Sequence, residues 1–339
     1  MSESLAVKYR PNNFSDVVGQ DMILAVLKRQ LELHSFKNCY LFCGSSGCGK
    51  TTVARIFAKE INNGKGFPIE IDAASNNGVE SVKNIVANAS ERSLDSQYKV
   101  FIIDECHVIT IQGWNAFLKC IEEPPQYTIF IFCTTDPQKI PATILNRCMR
   151  FNFGKIKVDQ ILSRLSYICQ NENITNYKES IEVIAKGSNG QMRDAIANLE
   201  KVSDYNRHLD LETTLAILGR YSYNKLFSLL NSIIDGNDGQ VITYLKDASE
   251  SITDWKYFVD MFLEFILDVF KYCVLKDIGV TSLPSIYLND IIGVTNFNDS
   301  DKYYSYVLNK VLELKNMIKV DNYPYYTIQT ILLQIARCE

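Results

Sequence analysis

Two short stretches of the chain carry residue types whose spacing could do chemistry together. The first, Gly44-Ser-Ser-Gly-Cys-Gly-Lys-Thr51, matches G-x-x-x-x-G-K-[ST], a phosphate-binding loop. Its glycines let the backbone wrap phosphates and aim N–H groups inward where a helix starts, the end that favours negative charge. Lys50 is placed to pair with the β- and γ-phosphates and the Thr51 hydroxyl to ligate Mg²⁺. Gly44, Ser45, Ser46, Gly47, Cys48, Gly49 and Thr52 would surround the same nucleotide. The second stretch, Val100-Phe-Ile-Ile-Asp104-Glu105, is an apolar run that ends in two acids. Asp104 would hold Mg²⁺, directly or through water, and Glu105 would polarise the attacking water, because hydrolysis needs a positioned proton acceptor. Alone, a glycine-rich turn is an accident and an Asp-Glu pair is a solvated strand end. Together, with a strand pattern before the loop and the helix pattern Val53, Ile56, Phe57 after it, they point to ATP and its hydrolysis.

Such residues need strand ends and helix starts to hold them. Cys39–Cys43, Pro68–Asp72, Val100–Asp104 and Ile129–Cys133 are short apolar runs bounded by polar or turn residues, as expected of strands buried on both faces of a parallel sheet. Between them, Thr51–Glu60, Val79–Ala89 and Gln112–Glu122 have helical patterns, so residues 1–154 are expected to form an α/β layered domain. From about residue 155 the strand patterns stop. Residues 155–220 read as a compact set of about three helices, with Gly187 and Gly190 separating the last two. Residues 221–339 read as all-helical, through patterns at 226–234, 241–248, 255–275, 303–318 and 327–336, with 279–300 as a loop holding short helical pieces.

Composition sets wide bounds. The chain has 339 residues, 47% hydrophobic and 22% charged, which suits a globular protein with sizeable cores. A formal charge of −4 argues against a uniformly basic surface, but leaves room for Lys and Arg gathered on one face. Met1-Ser2-Glu3-Ser4 has no basic stretch followed by an apolar run. The most hydrophobic long segment, 255–275, carries Asp260, Glu264 and Asp268, which a bilayer centre penalises, so it reads as a buried helix and no membrane partner is expected. The ten cysteines are scattered and form no C-x-x-C pair; those such as Cys39, Cys43, Cys133 and Cys169 read as reduced core thiols, and zinc is not expected.

Seven further stretches sharpen the reading. They are Lys8-Tyr-Arg-Pro-x-x-Phe14-x-Asp-Val-Val-Gly-Gln20, Ile71-Asp-Ala-Ala-Ser-Asn-Asn-Gly-Val79, Asp104-Glu-Cys-His107, Asn115-Ala-Phe-Leu-Lys119-x-x-Glu-Glu-Pro-Pro125, Cys133-Thr-Thr-Asp-Pro-Gln-Lys-Ile-Pro141, Asn146-Arg-Cys148 and Gly190-Gln-Met-Arg-Asp-Ala195. In this order, over about the first 200 residues, the sequence resembles the clamp-loader branch of the AAA+ ATPases, and within it the bacterial DNA polymerase III gamma/tau type. The last third follows only by position and helical pattern.

The resemblance implies a P-loop AAA+ domain, a small helical lid and a helical collar that joins subunits. It places Tyr9, Arg10 and Val18 around the adenine, although an aromatic next to Pro11 would equally serve as an N-terminal packing arm. Thr135, or its neighbour Thr134, falls at the sensor-1 position at a strand end, where a hydroxyl is otherwise just a cap. Arg193 falls in the sensor-2 motif, where it would reach the γ-phosphate; otherwise it is a surface Arg on an amphipathic helix. Arg147 corresponds to the family's arginine finger, which completes the ATP site of the adjacent subunit. Lys83 and Lys119, and more weakly Gln112, lie on helices that follow a duplex backbone in this family; the alternative is solvated helix faces.

Two departures stand out. The family's Ser-Arg-Cys reads Asn146-Arg147-Cys148 here, and Asn62–Phe67 fills the gap where cellular gamma subunits carry a cysteine-bearing zinc module. The second suggests a minimal or divergent version, from a virus or a reduced genome. The resemblance implies ATP and Mg²⁺ as ligands. Its implied partners are a sliding clamp, primer–template DNA and other loader subunits in a ring or spiral, a pentamer. It implies a cytoplasmic setting, in a bacterial cell or a virus-infected bacterial host. A non-hydrolysing loader subunit and a branch-migration helicase are the competing readings.

Overall fold

A computed structural model describes residues 3–93, 95–249, 252 and 254–337; Met1 and Ser2 of the N-terminal segment lie outside them. The first part of the chain runs α1 (Leu5–Lys8), α2 (Asp21–Glu32), β1 (Cys39–Cys43), α3 (Lys50–Ile61), β2 (Ile69–Asp72), α4 (Val79–Ala89), β3 (Lys99–Asp104), α5 (Ile111–Glu122), β4 (Thr128–Thr134), α6 (Ala142–Leu145) and β5 (Met149–Asn152). The strands form one parallel sheet in the order β2-β3-β4-β1-β5. All five residues of β1 and all seven of β4 are buried, as their unbroken apolar runs require of strands covered on both faces.

Strand alternation divides the side chains between two cores. Tyr40 and Phe42 of β1 and Ile129, Ile131 and Cys133 of β4 pack with Val53, Ile56 and Phe57 of α3 and with Leu24 and Leu27 of α2. Cys39, Leu41 and Cys43 face the other way with Phe130 and Phe132, against Val82 and Ile85 of α4 and Trp114 and Phe117 of α5. Phe117 meets Phe130 and Phe132 edge-on at 5.9 and 5.6 Å, a geometry that adds about 0.5–1.5 kcal/mol per pair beyond area burial.

The sequence reading lacked a strand at β5. It is a short edge strand with Arg150 and Asn152 exposed, so it carries no continuous apolar run.

The remaining helices are α7 (Val158–Asn171), α8 (Lys178–Gly187), α9 (Met192–Tyr205), α10 (Leu211–Ile217), α11 (Tyr223–Ile234), α12 (Asp238–Ser249), α13 (Trp255–Leu275), α14 (Leu288–Thr295), α15 (Ser300–Met317) and α16 (Pro324–Ala336). Residues 155–220 thus hold a fourth helix, α10, capped by Asp210, whose side chain accepts from Thr213 N–H. The stretch 279–300 contains the eight-residue α14 between short 3₁₀ turns and loop.

By backbone contacts the chain divides into two compact units, residues 1–168 with 188–200, and residues 169–187 with 201–339. The second unit has one helical core in which Phe258, Phe262, Ile266 and Val269 of α13 pack with Tyr304, Val307 and Val311 of α15 and with Leu332 of α16. Two of the acids of α13 have partners there. Asp268, only 4% exposed, pairs with Lys271 at 2.9 Å and accepts Ser282 N–H, and Asp260 pairs with Lys315 at 2.8 Å. Among the described residues no helix is long and apolar enough to cross a membrane.

Candidate nucleotide site at the strand ends

The first unit gathers its chemistry at the carboxyl ends of β1, β3 and β4, where open α/β sheets bind ligands. The loop after β1 turns through Gly44, Gly47 and Gly49, all at positive φ. At Gly44 a Cβ would lie 2.5 Å from the Phe153 carbonyl oxygen, so only glycine fits. The loop then opens α3, whose first residues are Lys50 and Thr51. Gln20 braces this turn from the N-terminal arm, donating to the carbonyls of Gly154 at 2.7 Å and Cys48 at 3.4 Å.

Lys50 is 5% exposed, and its ammonium donates to the carbonyls of Gly44 and Ser45, both at 2.9 Å. Thr51 Oγ1 donates to Asp104 Oδ2 at 2.8 Å, joining the helix start to the end of β3. That hydroxyl and carboxylate are oxygen ligands of the kind a hard cation takes, so the donor set fits Mg²⁺ held together with nucleotide phosphates. Asp104 Oδ1 accepts Glu105 N–H at 3.0 Å, and Glu105 sits in the left-handed region at φ 47. Such a backbone is uncommon for a non-glycine residue and turns the carboxylate across the strand ends. Thr135 Oγ1 donates to Glu105 Oε2 at 3.1 Å. Of the two hydroxyls the sequence left open, Thr135 reaches Glu105 and Thr134 reaches His107 Nδ1 at 3.2 Å.

A cleft of about 390 Å³ lies over the loop. Among its walls are Tyr9, Arg10, Val17 and Val18 on one side, the loop residues Ser46 to Thr52 below, and Asp104 and Glu105 at the end. Gly44 and Ser45 belong to the loop, but are not among the lining residues. Arg193 lines the cleft from the first turn of α9, held there because Met192 N–H donates to the Gly47 carbonyl at 3.1 Å. The sequence reading missed Arg164, Ile156, Met192 and Ile196, which also line it. Arg164 donates to the Tyr9 carbonyl at 2.7 Å and lies over the Tyr167 ring, which ties the N-terminal arm to α7. Only its place on α7 gives it this role, and an Arg at a helical spacing carries no such signal.

The cysteines nearby are core residues. Burial pushes the thiols of Cys48, Cys106 and Cys133 up, away from the reactive thiolate.

This arrangement can be set beside known proteins. Residues 68–157 match the family described as DNA polymerase III, delta subunit. The DNA polymerase III subunit tau of Bacillus subtilis is 38% identical over 285 residues, 75% of this chain and 51% of that one. The subunit gamma/tau of Mycoplasma genitalium is 32% identical and matches 91% of this chain and 55% of its own. The subunit gamma of Buchnera aphidicola subsp. Baizongia pistaciae is 31% identical over 97% of this chain and 90% of its own length. The chain belongs to the DNA polymerase III gamma/tau family.

This gamma/tau-family chain spans about half the length of the first curated relatives it matches. Its fold is that of the AAA+ ATPases: the RuvB Holliday junction branch migration motor of Thermotoga maritima superposes with a TM-score of 0.53 over 67% of this chain and 80% of that one, at 19% identity. The likeness to the motor is one of fold.

The other candidate residues lie away from the cleft. Arg147 follows α6, where it pairs with Glu122 at 2.6 Å and donates to the Thr143 carbonyl at 2.7 Å; it does not line the cleft of its own chain. Lys83 on α4, and Gln112 and Lys119 on α5, are exposed. The opposite side of α5 buries Trp114, Phe117 and Ile121, which holds Gln112 and Lys119 outward. Between α3 and β2 the chain passes through Asn62–Pro68, and the Asn62 side chain clamps the turn by exchanging two 2.8 Å hydrogen bonds with the Tyr98 backbone.

Proposed function

We propose that this chain is an ATP-hydrolysing motor subunit of a DNA sliding-clamp loader. The observation that carries the proposal is the meeting of Lys50, Thr51, Asp104, Glu105 and Thr135 at three adjacent strand ends, in a chain of the gamma/tau family. A scaffold subunit has no use for all five. The branch-migration reading rests on fold likeness alone, while the sequence kinship is with polymerase III subunits.

In this reading the backbone N–H groups of the loop and the Lys50 ammonium take the phosphates, and the arm from Tyr9 to Pro11 with Val18 encloses the adenine. Mg²⁺ held by Thr51 and Asp104 would neutralise phosphate charge during transfer. Glu105 accepts the proton of the attacking water, Thr135 orients it, and Arg193 reports the γ-phosphate to the lid. Arg147 completes the site of a neighbouring subunit. Residues 1–154 are then the ATPase core, 155–220 the lid and 221–339 the collar of a ring or spiral, a pentamer, that opens a clamp and closes it on primer–template DNA. The setting is the bacterial cytoplasm, in a cell or a virus-infected host.

ATPase activity measured with a clamp, with primed DNA and with both tests the reading. The largest rate is expected with both together; a rate indifferent to both would return the chain to a generic AAA+ ATPase.

The exposed lysines make a second expectation. Lys83→Ala with Lys119→Ala should lower DNA-stimulated hydrolysis at all sequences alike and flatten the salt dependence of DNA binding, by about two in slope if each lysine meets one phosphate. Unchanged stimulation would make both lysines solvated helix faces.

A further inference from the structure

His107 lies three residues after Asp104 on a 3₁₀ turn, and its side chain is 15% exposed. Its Nδ1 is 3.3 Å from Glu105 Oε2 and 3.2 Å from Thr134 Oγ1, so one ring atom faces two oxygens. The Thr134 hydroxyl oxygen already accepts Asp136 N–H at 3.0 Å, and Glu105 Oε2 already accepts from Thr135 at 3.1 Å. An ionised carboxylate only accepts hydrogen bonds. The contact with Glu105 is therefore attractive only when Nδ1 carries a proton, and a bare Nδ1 would set two lone pairs against each other.

We propose that His107 is a positioning residue for Glu105, holding its carboxylate through Nδ1–H with Thr134 as the alternative acceptor. The two acceptors give the arrangement its use. When Glu105 swings out of this base-ready position, the Nδ1–H group passes to Thr134 Oγ1 and the ring donor stays satisfied. Thr135 and His107 grip the same oxygen, Oε2, which leaves Oε1 of Glu105 to face the water. The turn carrying His107 follows β3, Thr134 is the last residue of β4 and Thr135 comes directly after it, so the parallel pairing of these strands sets the distances.

The proposal rests on Glu105 being the base, and the two fail in different ways. If Glu105→Gln hydrolyses ATP at the parent rate, the base is misassigned whatever the His107 variants do. With Glu105 established, His107→Leu in the full chain, measured in the assembly that hydrolyses ATP, should lower kcat about tenfold, a part of the 10²–10⁴ that a positioned base supplies. KM and the affinity for a non-hydrolysable ATP analogue should stay within twofold, because His107 does not line the cleft. His107→Asn, whose side-chain amide can donate from near the Nδ1 position, should recover most of kcat. In a Glu105→Gln background His107→Leu should have no further effect, since it acts through the carboxylate. A parent-like or raised kcat in His107→Leu, no recovery with Asn, loss of nucleotide affinity, or an equal loss in the Glu105→Gln background would each overturn the assignment.

Discussion

Glu105→Gln is expected to bind ATP and hydrolyse it about 10²- to 10⁴-fold more slowly than the parent chain, the contribution of a positioned general base. The substitution is nearly isosteric and leaves the loop, Lys50 and the Thr51–Asp104 hydrogen bond in place, so binding should survive. An amide has almost no basicity, so the attacking water loses its proton acceptor and an ATP-loaded state accumulates. Lys50→Ala should behave in the opposite way. Lys50 is buried against the loop carbonyls, and no other ammonium or guanidinium lies on the loop itself to meet the β- and γ-phosphates there. Its removal should weaken binding of a fluorescent ATP analogue together with hydrolysis. Measuring affinity and single-turnover rate in both variants separates the roles. A parent-like rate in Glu105→Gln would show that another group activates the water.

Arg147→Ala should leave ATP affinity unchanged and remove most hydrolysis in the assembled state. An arginine finger supplied in trans is worth about 10³–10⁵ in rate in other P-loop enzymes, so even partial use here would be plain. Two observations give this form to the expectation. Arg147 is outside the cleft of its own chain, and its guanidinium is partly exposed in its pair with Glu122. An exposed pair of this kind is worth only about 0–1 kcal/mol, so it holds Arg147 without committing it. Mixing Arg147→Ala chains with Lys50→Ala chains gives the decisive measurement. Each is nearly inactive by itself, yet an intact cleft facing an intact Arg147 should restore hydrolysis at that interface, and the restored activity should fall on dilution. Co-assembled mixtures that stay inactive would remove Arg147 from the trans role.

The sequence by itself marked out the candidate loop and acids and most of the elements that hold them. A strand buried on both faces must be apolar throughout, so β1, β3 and β4 show as unbroken runs, and the loop and acids that follow them are fixed to strand ends by chain continuity. The long helix α13 shows for a related reason: its hydrophobic length is complete, while Asp260 takes Lys315 and Asp268 takes the Ser282 N–H from outside the helix. Short or marginal elements were decided by their surroundings. β5 is four residues long, and its order in the sheet comes from pairing with β1. The seven-residue α10 depends on the Asp210 cap and on packing of Leu215. The supports of the candidate site also belong to tertiary structure. Thr134 is 27 residues from His107 and Arg164 is 155 from Tyr9, and no period in the sequence joins either pair. Strand order and helix packing bring them together, because a side chain's type is written at one position while its partner is chosen by the register of elements far along the chain.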